Sequence, residues 1–448
     1  MSTQQQGAGG PPVSDVSSGI GLSGLFGLFA WLTLARNWPA VAPILGFSAE
    51  QGRLNGPVAA VMCVVATGIP MVLWSILVDK VHLRPSTGLD WSLRRPLRET
   101  FDISITKIAG LWVTFGIIAF IYCLERWYWR GTWYFAMEVM MALAVPLFVL
   151  TVPYVLWLDR HLKEPRDASW HFGAMLIGRE PHDIAEVWNH LRAWAVKGFF
   201  CAFMVSILPF GYASIVSVDL ETLPLNPFAV ATTLIELLFL IDVQLAMVGY
   251  FLTLKPLDAQ IRSANPHLAG WVAALICYPP FIQMGGTGVL DYHPGTADWG
   301  LWLQGHIVLA WVWASLLVFL TGIYAWATMI YGIRFSNLTY RGVITNGPYR
   351  FTRHPAYLSK NLFWWLSTLP FLATTGSPVD SVRNTVLLAG VSAVYYWRAR
   401  TEEKHLMAED AKYRAYHAWM GENAAITRGL AKLARLLRPR GPQLQPAE

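Results

Sequence analysis

A polar stretch at residues 346–362, NGPYRFTRHPAYLSKNL, concentrates cationic and hydrogen-bonding side chains between two apolar segments. Gly347 and Pro348 favour a turn at its start. The side chains that follow can hold an anion by charge-assisted hydrogen bonds or move a proton. They are Tyr349, Arg350, Arg353, His354 and Tyr357. Taken one by one, these residues would equally suit a membrane surface, where arginines favour cytoplasmic loops and tyrosines favour the interface.

A second polar group follows beyond two short apolar runs. An arginine-rich start leads into a pair of adjacent glutamates and then two tyrosines, at Arg398, Arg400, Glu402, Glu403, Tyr413 and Tyr416. Alone, Arg398 and Glu402 could be an i,i+4 surface ion pair, which contributes only about 0.2–0.5 kcal/mol. Adjacent carboxylates beside the first group instead favour a pocket for a positively charged ligand.

The two groups together resemble the paired signatures of the isoprenylcysteine carboxyl methyltransferase and phospholipid methyltransferase superfamily. In that family GPYRxxRHPxY precedes a short helical hairpin, and an arginine, a Glu-Glu pair and Tyr-x-x-Tyr follow it. The resemblance covers roughly residues 330–420. It implies that S-adenosylmethionine (SAM) binds between the hairpin and the C-terminal helix, while a lipidic or prenylated acceptor enters from the membrane.

The resemblance also implies roles for the matching residues. Arg353, His354 and Glu403 are the candidate catalytic residues. The candidate cofactor-binding residues are Tyr349, Arg353, His354, Pro355, Tyr357, Arg398, Glu402 and Glu403. A carboxylate suits the ribose hydroxyls or the ammonium group of SAM, and Arg or His suits its carboxylate. Methyl transfer from a sulfonium mainly requires alignment and exclusion of water, so an anionic acceptor needs no base, whereas an amine would need His354 or Glu403 as one.

The chain departs from the family pattern at two places. Ser359 and Lys360 follow the His-Pro-x-Tyr core where a glycine is common, and Asp410 and Ala411 replace the usual Phe-Gly before the paired tyrosines. The acceptor therefore stays open among a prenylated cysteine, a phospholipid headgroup and another hydrophobic metabolite. O-methylation of a carboxylate or similar anionic group is the expected reaction.

The composition places these groups in a membrane protein. With 54% hydrophobic and 14% charged residues among 448, the chain has too little polar surface for a water-soluble fold. We predict an all-α, multi-pass transmembrane helical bundle with about nine or ten spans of roughly 20 apolar residues each. The predicted spans are 56–78, 108–124, 133–157, 198–216, 228–254, 271–284 and 307–330, with a short helical hairpin at 358–374 and 385–397.

Two further segments flank these spans. Residues 20–47 either cross the membrane or lie in its interface, because Arg36 and two prolines interrupt the apolar run. Residues 398–420 are predicted to form a cytoplasmic amphipathic helix.

The loops predict the orientation. Lysines and arginines are concentrated in alternate loops, and loops 217–227 and 285–299 contain none. Cytoplasmic loops carry the positive charge, so the C-terminal part is predicted to be cytoplasmic, at the inner membrane if the cell is bacterial. The predicted divisions are a disordered tail (1–18), an N-terminal transmembrane region that recognises the acceptor or a partner (19–300), a methyltransferase-like membrane domain (301–424) and a basic flexible tail (425–448).

Two other functions use the same residues differently. Membrane sterol reductases have a similar Arg-His-x-x-Tyr segment but bind NADPH, and the adjacent Glu402 and Glu403 argue against a phosphate-rich cofactor. A transporter or non-catalytic scaffold would depend on Glu236 and Asp242, which are ionisable residues within predicted spans. In the methyltransferase interpretation, these two are candidate substrate-binding residues.

Other partners are not expected. The net charge of +6 is not arranged as a basic stripe with interleaved aromatic residues, so no nucleic acid is predicted to bind. The four cysteines lie in apolar stretches without metal-ligand spacing, which predicts neither a metal site nor a disulfide framework. The lipid bilayer is the expected surrounding, and protein partners stay open.

Overall fold

A computed structural model describes residues 10–48, 52–178, 180–286, 288–429 and 432. Apart from a two-stranded pairing, its regular structure is helical. In chain order the longer helices are α1 (Ser18–Arg36), α2 (Pro57–Leu73, continued as a π-helix to Val78), α3 (Leu97–Leu124), α4 (Tyr134–Asp159), α5 (Ala168–Ile177), α6 (Ile184–Ser217), α7 (Pro227–Phe251), α8 (Leu268–Leu275), α9 (Ile307–Tyr331), α10 (Pro355–Thr368), α11 (Pro378–Glu409) and α12 (Ala411–Asn423). Short helical turns lie at Trp38–Val41 and Trp299–Trp302.

The predicted class, an all-α multi-pass bundle, is confirmed. Within the described part of the chain, seven helices are long and apolar enough to cross a membrane: α1, α2, α3, α4, α6, α7 and α9. The ambiguous segment 20–47 contains the first of them, since α1 runs from Ser18 to Arg36 before the prolines interrupt it.

The predicted number of spans, nine or ten, exceeds the seven candidate spans found among the described residues. Residues 271–284 do not form a span, because α8 ends at Leu275 and the chain then turns. Pro279 and Pro280 lack the backbone N–H groups that a continuing helix would need. The hairpin consists of α10, with only 14 residues, and α11, with 32.

The C-terminal helix also differs from its prediction. Residues 398–420 were expected to form one separate amphipathic helix. Instead α11 continues through Arg398 to Glu409, and the Asp410 side chain then accepts a hydrogen bond from the backbone N–H of Lys412 to start α12. The glutamate pair is thus rigidly joined to the second arm of the hairpin.

The membrane helices pack through small residues and one large apolar core. The core joins α1, α2, α6, α7 and α9. Helices α1 and α2 approach most closely at Gly27, where an added Cβ would lie 2.0 Å from the backbone oxygen of Ala66. Small residues permit such approaches in membranes, where packing drives helix association.

The segment that leads from α9 to α10 is held by one buried arginine. The guanidinium of Arg341 donates hydrogen bonds to the backbone oxygens of Gly249 and Phe335, both at 2.8 Å, and to Ala259. Strands β1 (Ser263–Ala264) and β2 (Thr339–Tyr340) pair antiparallel beside it. These contacts fix the segment just before the polar stretch 346–362 against the end of α7.

Residues near the N-terminus lie along the same segment. Asp15 accepts hydrogen bonds from the backbone N–H of Val343 (2.7 Å) and from Lys412 Nζ (2.6 Å), and Thr345 donates to the Pro12 oxygen (2.6 Å). Residues 10–17 are therefore part of the folded molecule rather than of the disordered tail predicted for 1–18. Residues 1–9, and most of the tail predicted for 425–448, lie outside the described residues.

Candidate functional site

An open cavity lies where the segment after α9, the start of α10 and the C-terminal end of α11 meet. It contains about 830 Å³ of empty space, a figure that includes open solvent. Of the predicted site residues, five line it: Tyr349, Arg353, His354, Tyr357 and Glu402. The two polar groups that the sequence separates thus meet at one cavity.

Glu402 is the carboxylate that faces this cavity. Its Oε1 accepts a hydrogen bond from Tyr357 Oη and lies 3.5 Å from Arg398 Nε. Arg398 itself is 1% exposed, donates to Asn337 Oδ1 at 2.5 Å, and lies with its guanidinium carbon 5.1 Å from the centre of the Tyr357 ring. Arg398 therefore does not line the cavity but positions Glu402 and Tyr357 from the side that faces away from it.

Glu403 has a different environment, although it is the next residue. It is 2% exposed, and its Oε1 lies 2.8 Å from Arg353 Nε and 3.1 Å from His354 Nε2. Its Oε2 lies 2.7 Å from Arg400 Nη1 and 3.9 Å from His417 Nε2. Successive residues on a helix point about 100° apart, which sends the two carboxylates of the pair to different sides of α11.

The cations around Glu403 control its protonation. Burial alone would raise the pKa of this carboxyl, but hydrogen bonds from His354 and His417 and the charge of Arg353 outweigh it and hold the pKa well below the usual range. A carboxylate with so low a pKa is a weak base at neutral pH. The geometry thus favours a positioning role for Glu403, which fixes Arg353 and His354, over the role of general base that the sequence allowed.

The remaining predicted residues frame the start of α10. Pro355 is its first residue, where a missing N–H leaves no helical hydrogen bond unmade, and it is buried. The His354 ring stacks on the Tyr357 ring at 5.6 Å between centres. Tyr416 of α12 donates a hydrogen bond to the backbone oxygen of Tyr349 at 2.6 Å, which ties the C-terminal tyrosine to the first signature.

Sequence reasoning missed His405, which also lines the cavity. Its Nε2 lies 2.9 Å from Ser263 Oγ. Burial, with the charges of His267 and Arg192, lowers the pKa of His405 to about 4, so its ring is neutral at pH 7. The available signal was helical spacing, because His405 follows Glu402 by three residues and shares its face.

A second, smaller cavity lies between α7, α9 and α10, and we call it the deeper cavity because it lies further along α10 from the first residue of that helix. Its empty space of about 180 Å³ includes open solvent. It is lined by Phe239, Leu320, Thr321, Tyr324, Ser359, Lys360 and Phe363. Beside it, Asp242 accepts hydrogen bonds from Tyr324 Oη (2.7 Å) and Thr328 Oγ1 (2.5 Å). Lys360 Nζ in turn donates to Tyr324 Oη at 3.4 Å.

The two predicted substrate-binding residues are therefore not brought together. Asp242 lies next to the deeper cavity, whereas Glu236 accepts a hydrogen bond from Ser214 near the C-terminal end of α6, at 2.5 Å. Glu236 is among the lining residues of neither cavity.

One comparison with known proteins found a match in the C-terminal part of the chain. Residues 305–408 match the model of the Isoprenylcysteine carboxyl methyltransferase (ICMT) family. Comparisons with curated proteins and with solved structures gave no significant match. The match confirms the resemblance for the C-terminal part and supports a membrane methyltransferase of this kind. It contains the stretch 346–362 and the glutamate pair, and it ends before Tyr413 and Tyr416.

Proposed function

We propose that this protein is a SAM-dependent methyltransferase that acts on a lipidic or prenylated acceptor at the cytoplasmic face of the membrane. The methylated group is a carboxylate or a similar anionic group. The observation that carries the proposal is the placement of Glu402 in one cavity with Arg353, His354 and Tyr357. Both family signatures contribute to that cavity, and the first signature and the glutamate pair of the second lie within the matched residues 305–408.

The charges around the cavity fit SAM, which carries an ammonium, a sulfonium and a carboxylate. Glu402 suits the ammonium group or the ribose hydroxyls, and Arg353 or His354 suits the carboxylate. The aromatic rings of Tyr331, Tyr349, Tyr357 and Phe335 line the same space, and such rings attract a sulfonium through their faces. A carboxylate in the cavity is less suited to NADPH, whose phosphates are anionic.

The reaction requires little acid–base chemistry from the protein. When bound, SAM supplies a methyl group on a sulfonium, so that one C–S bond breaks, one bond to the anionic oxygen forms, and no proton moves. The residues of this chain would bind and align the reactants and keep water out. The Glu403 ion cluster supports this role by fixing Arg353 and His354 at the cavity wall.

Equilibrium binding of SAM to the detergent-purified protein tests the proposal. We expect micromolar binding that weakens at least about tenfold, or about 1.4 kcal/mol, in Glu402→Gln. Glu422→Gln is the matched control, because Glu422 is exposed on α12 away from the cavity. NADPH should not compete.

Folded protein that binds no SAM would refute the proposal. If NADPH bound instead, a reductase would be the better assignment; if neither bound, a transporter or scaffold would be. Equal affinities of the wild type and Glu402→Gln would remove Glu402 from the cofactor site.

A further inference from the structure

We propose that the deeper cavity binds the acceptor, and that Lys360 holds the acceptor's anionic group. The ligand class is an amphiphile with an apolar chain and one carboxylate or phosphate. That the bound molecule becomes methylated rests on the proposed function. The binding site itself rests on the contacts of Lys360 and can be tested separately.

The first observation is the environment of the Lys360 ammonium. Lys360 is partly buried, with Nζ 4.6 Å from the centre of the Tyr324 ring and 5.7 Å from that of Trp364. Among the described residues its hydrogen-bond acceptor is Tyr324 Oη, at 3.4 Å. An ammonium has three N–H donors, so two remain for a ligand.

The second observation is that the neighbouring carboxylate is already occupied. Each oxygen of Asp242 accepts a hydroxyl hydrogen bond, one from Tyr324 and one from Thr328. Tyr324 stands between the two charges, since it accepts from Lys360 and donates to Asp242. Asp242 therefore orients Tyr324 and Lys360 without closing the ammonium off in a direct ion pair.

The third observation is the surrounding surface. The cavity beside Lys360 is lined by the apolar side chains of Phe239, Leu320 and Phe363, on three different helices. A lysine at such a position is costly in a bilayer unless it meets a polar partner. An acyl or prenyl chain lying against this opening would contact these apolar side chains, and an anionic end group on that chain would neutralise the ammonium.

The fourth observation is the position relative to the cofactor cavity. On α10, Ala356 and Tyr357 line the first cavity, and Ser359 and Lys360 line the second. Residues three or four apart on a helix are neighbours, with about 5–6 Å between their Cβ atoms. An anion held by Lys360 would thus lie one helical turn from the cofactor cavity.

The two cavities also lie one after the other along α9, where Tyr331 lines the first cavity and Tyr324 lines the second. These residues are seven apart, which is two helical turns, so they lie on the same face. Lys360 is also one of the residues at which the chain departs from the family pattern. The anion-binding contact is therefore a feature of this chain and a candidate determinant of its specificity.

Binding of radiolabelled amphiphiles to the full-length protein in nanodiscs, at pH 8, tests the proposal. The probes are oleate, dodecyl phosphate and the uncharged oleyl alcohol. We expect at least one anionic probe to bind with an affinity that falls at least tenfold in Lys360→Met and is retained in Lys360→Arg. Lys404→Met is the matched control, since Lys404 is exposed on α11.

The two anionic probes separate a carboxylate acceptor from a phosphate acceptor. Oleyl alcohol should bind weakly and equally to all variants. The proposal would be overturned if no anionic probe bound, if Lys360→Met bound it as tightly as the wild type, or if oleyl alcohol bound as well as the anions.

A structural role for Lys360 as the counter-charge of Asp242 makes a different prediction. In that case the double variant Asp242→Asn/Lys360→Met would regain anion binding, whereas a direct contact requires that it stay deficient. SAM binding, measured on the same preparations, should not change in Lys360→Met. If the wild type bound an anion through Lys360 but bound no SAM, the proposed function would fail and the anion site would stand.

Discussion

Glu403 and Asp242 are two buried carboxylates of the same molecule with opposite kinds of partner. Glu403 is surrounded by basic side chains, with Arg353, His354 and Arg400 within 3.1 Å of its oxygens. Asp242 is held by two hydroxyl groups, and the nearby Lys360 reaches it only through Tyr324. Glu403 holds its basic partners at the cavity wall, whereas Asp242 leaves the ammonium of Lys360 available to a ligand.

The comparison shows that the role of an acidic side chain depends on its partners and not on its residue type alone. Glu402 and Glu403 are adjacent in sequence, yet Glu402 faces the first cavity and Glu403 is enclosed in an ion cluster. What distinguishes them is the number of charged partners that each already has. A carboxylate with few cationic partners is the one that can still bind a ligand.

The largest expected effect follows from removing the charge of Glu403. In Glu403→Gln, Arg353 and His354 lose their counter-charge, and we expect the free energy of unfolding to fall by about 3 kcal/mol. This is the lower end of the cost of breaking a buried ion pair, because Arg400 is half exposed and is solvated in either case. Chemical unfolding in mixed micelles measures the loss.

Glu422→Gln, on the exposed face of α12, is the control and should behave as the wild type. A wild-type stability for Glu403→Gln would mean that the ion cluster does not hold the cavity wall.

The pH dependence of stability gives a second, smaller contrast. The pKa of Glu403 is lowered in the folded protein, so its stabilisation is complete above the unfolded-state pKa of about 4.3 and is lost as the pH falls below it. The difference in melting temperature between the wild type and Glu403→Gln should therefore be constant near neutral pH and shrink below about pH 4.3. A difference that grew on acidification would contradict the assigned direction of the pKa shift.

The smallest expected effect is at Asp242. Its partners are hydroxyl groups, which can donate to an amide oxygen or accept from an amide N–H, so Asp242→Asn should change the free energy of unfolding by only about 1 kcal/mol. Chemical unfolding of Asp242→Asn and Glu403→Gln side by side compares the losses in the free energy of unfolding of the two variants. Equal losses at the two positions would remove the distinction between a cation-bound and a hydroxyl-bound carboxylate.

The fold class and many of the residues that line the first cavity could be predicted from the sequence. Composition alone indicates a helical membrane protein, and the two motifs indicate the polar residues that meet at the cavity. The side of α11 on which Glu402 and Glu403 each lie could not be predicted, because a motif names residues without fixing the rotation of the helix. Hydropathy also predicted a span at 271–284, where the short apolar run instead forms one small helix and a series of turns.

The boundary near residue 398 illustrates a different limit. The sequence changes there from apolar to charged, which indicated two elements, but a backbone helix continues wherever its polar residues find partners. Arg398 contacts Asn337, and Glu403 contacts Arg353 and His354. Such contacts between distant parts of the chain have no counterpart in local periodicity.

The contact between Asp15 and Lys412 has a consequence for how the molecule is made. Asp15 is synthesised before the seven candidate membrane helices, whereas Val343 and Lys412, to which it binds, are synthesised after them. The segment must therefore wait until all seven helices have been made before its partners exist, since chains fold largely in the order of their synthesis. The contact thus cannot form before those helices have left the ribosome.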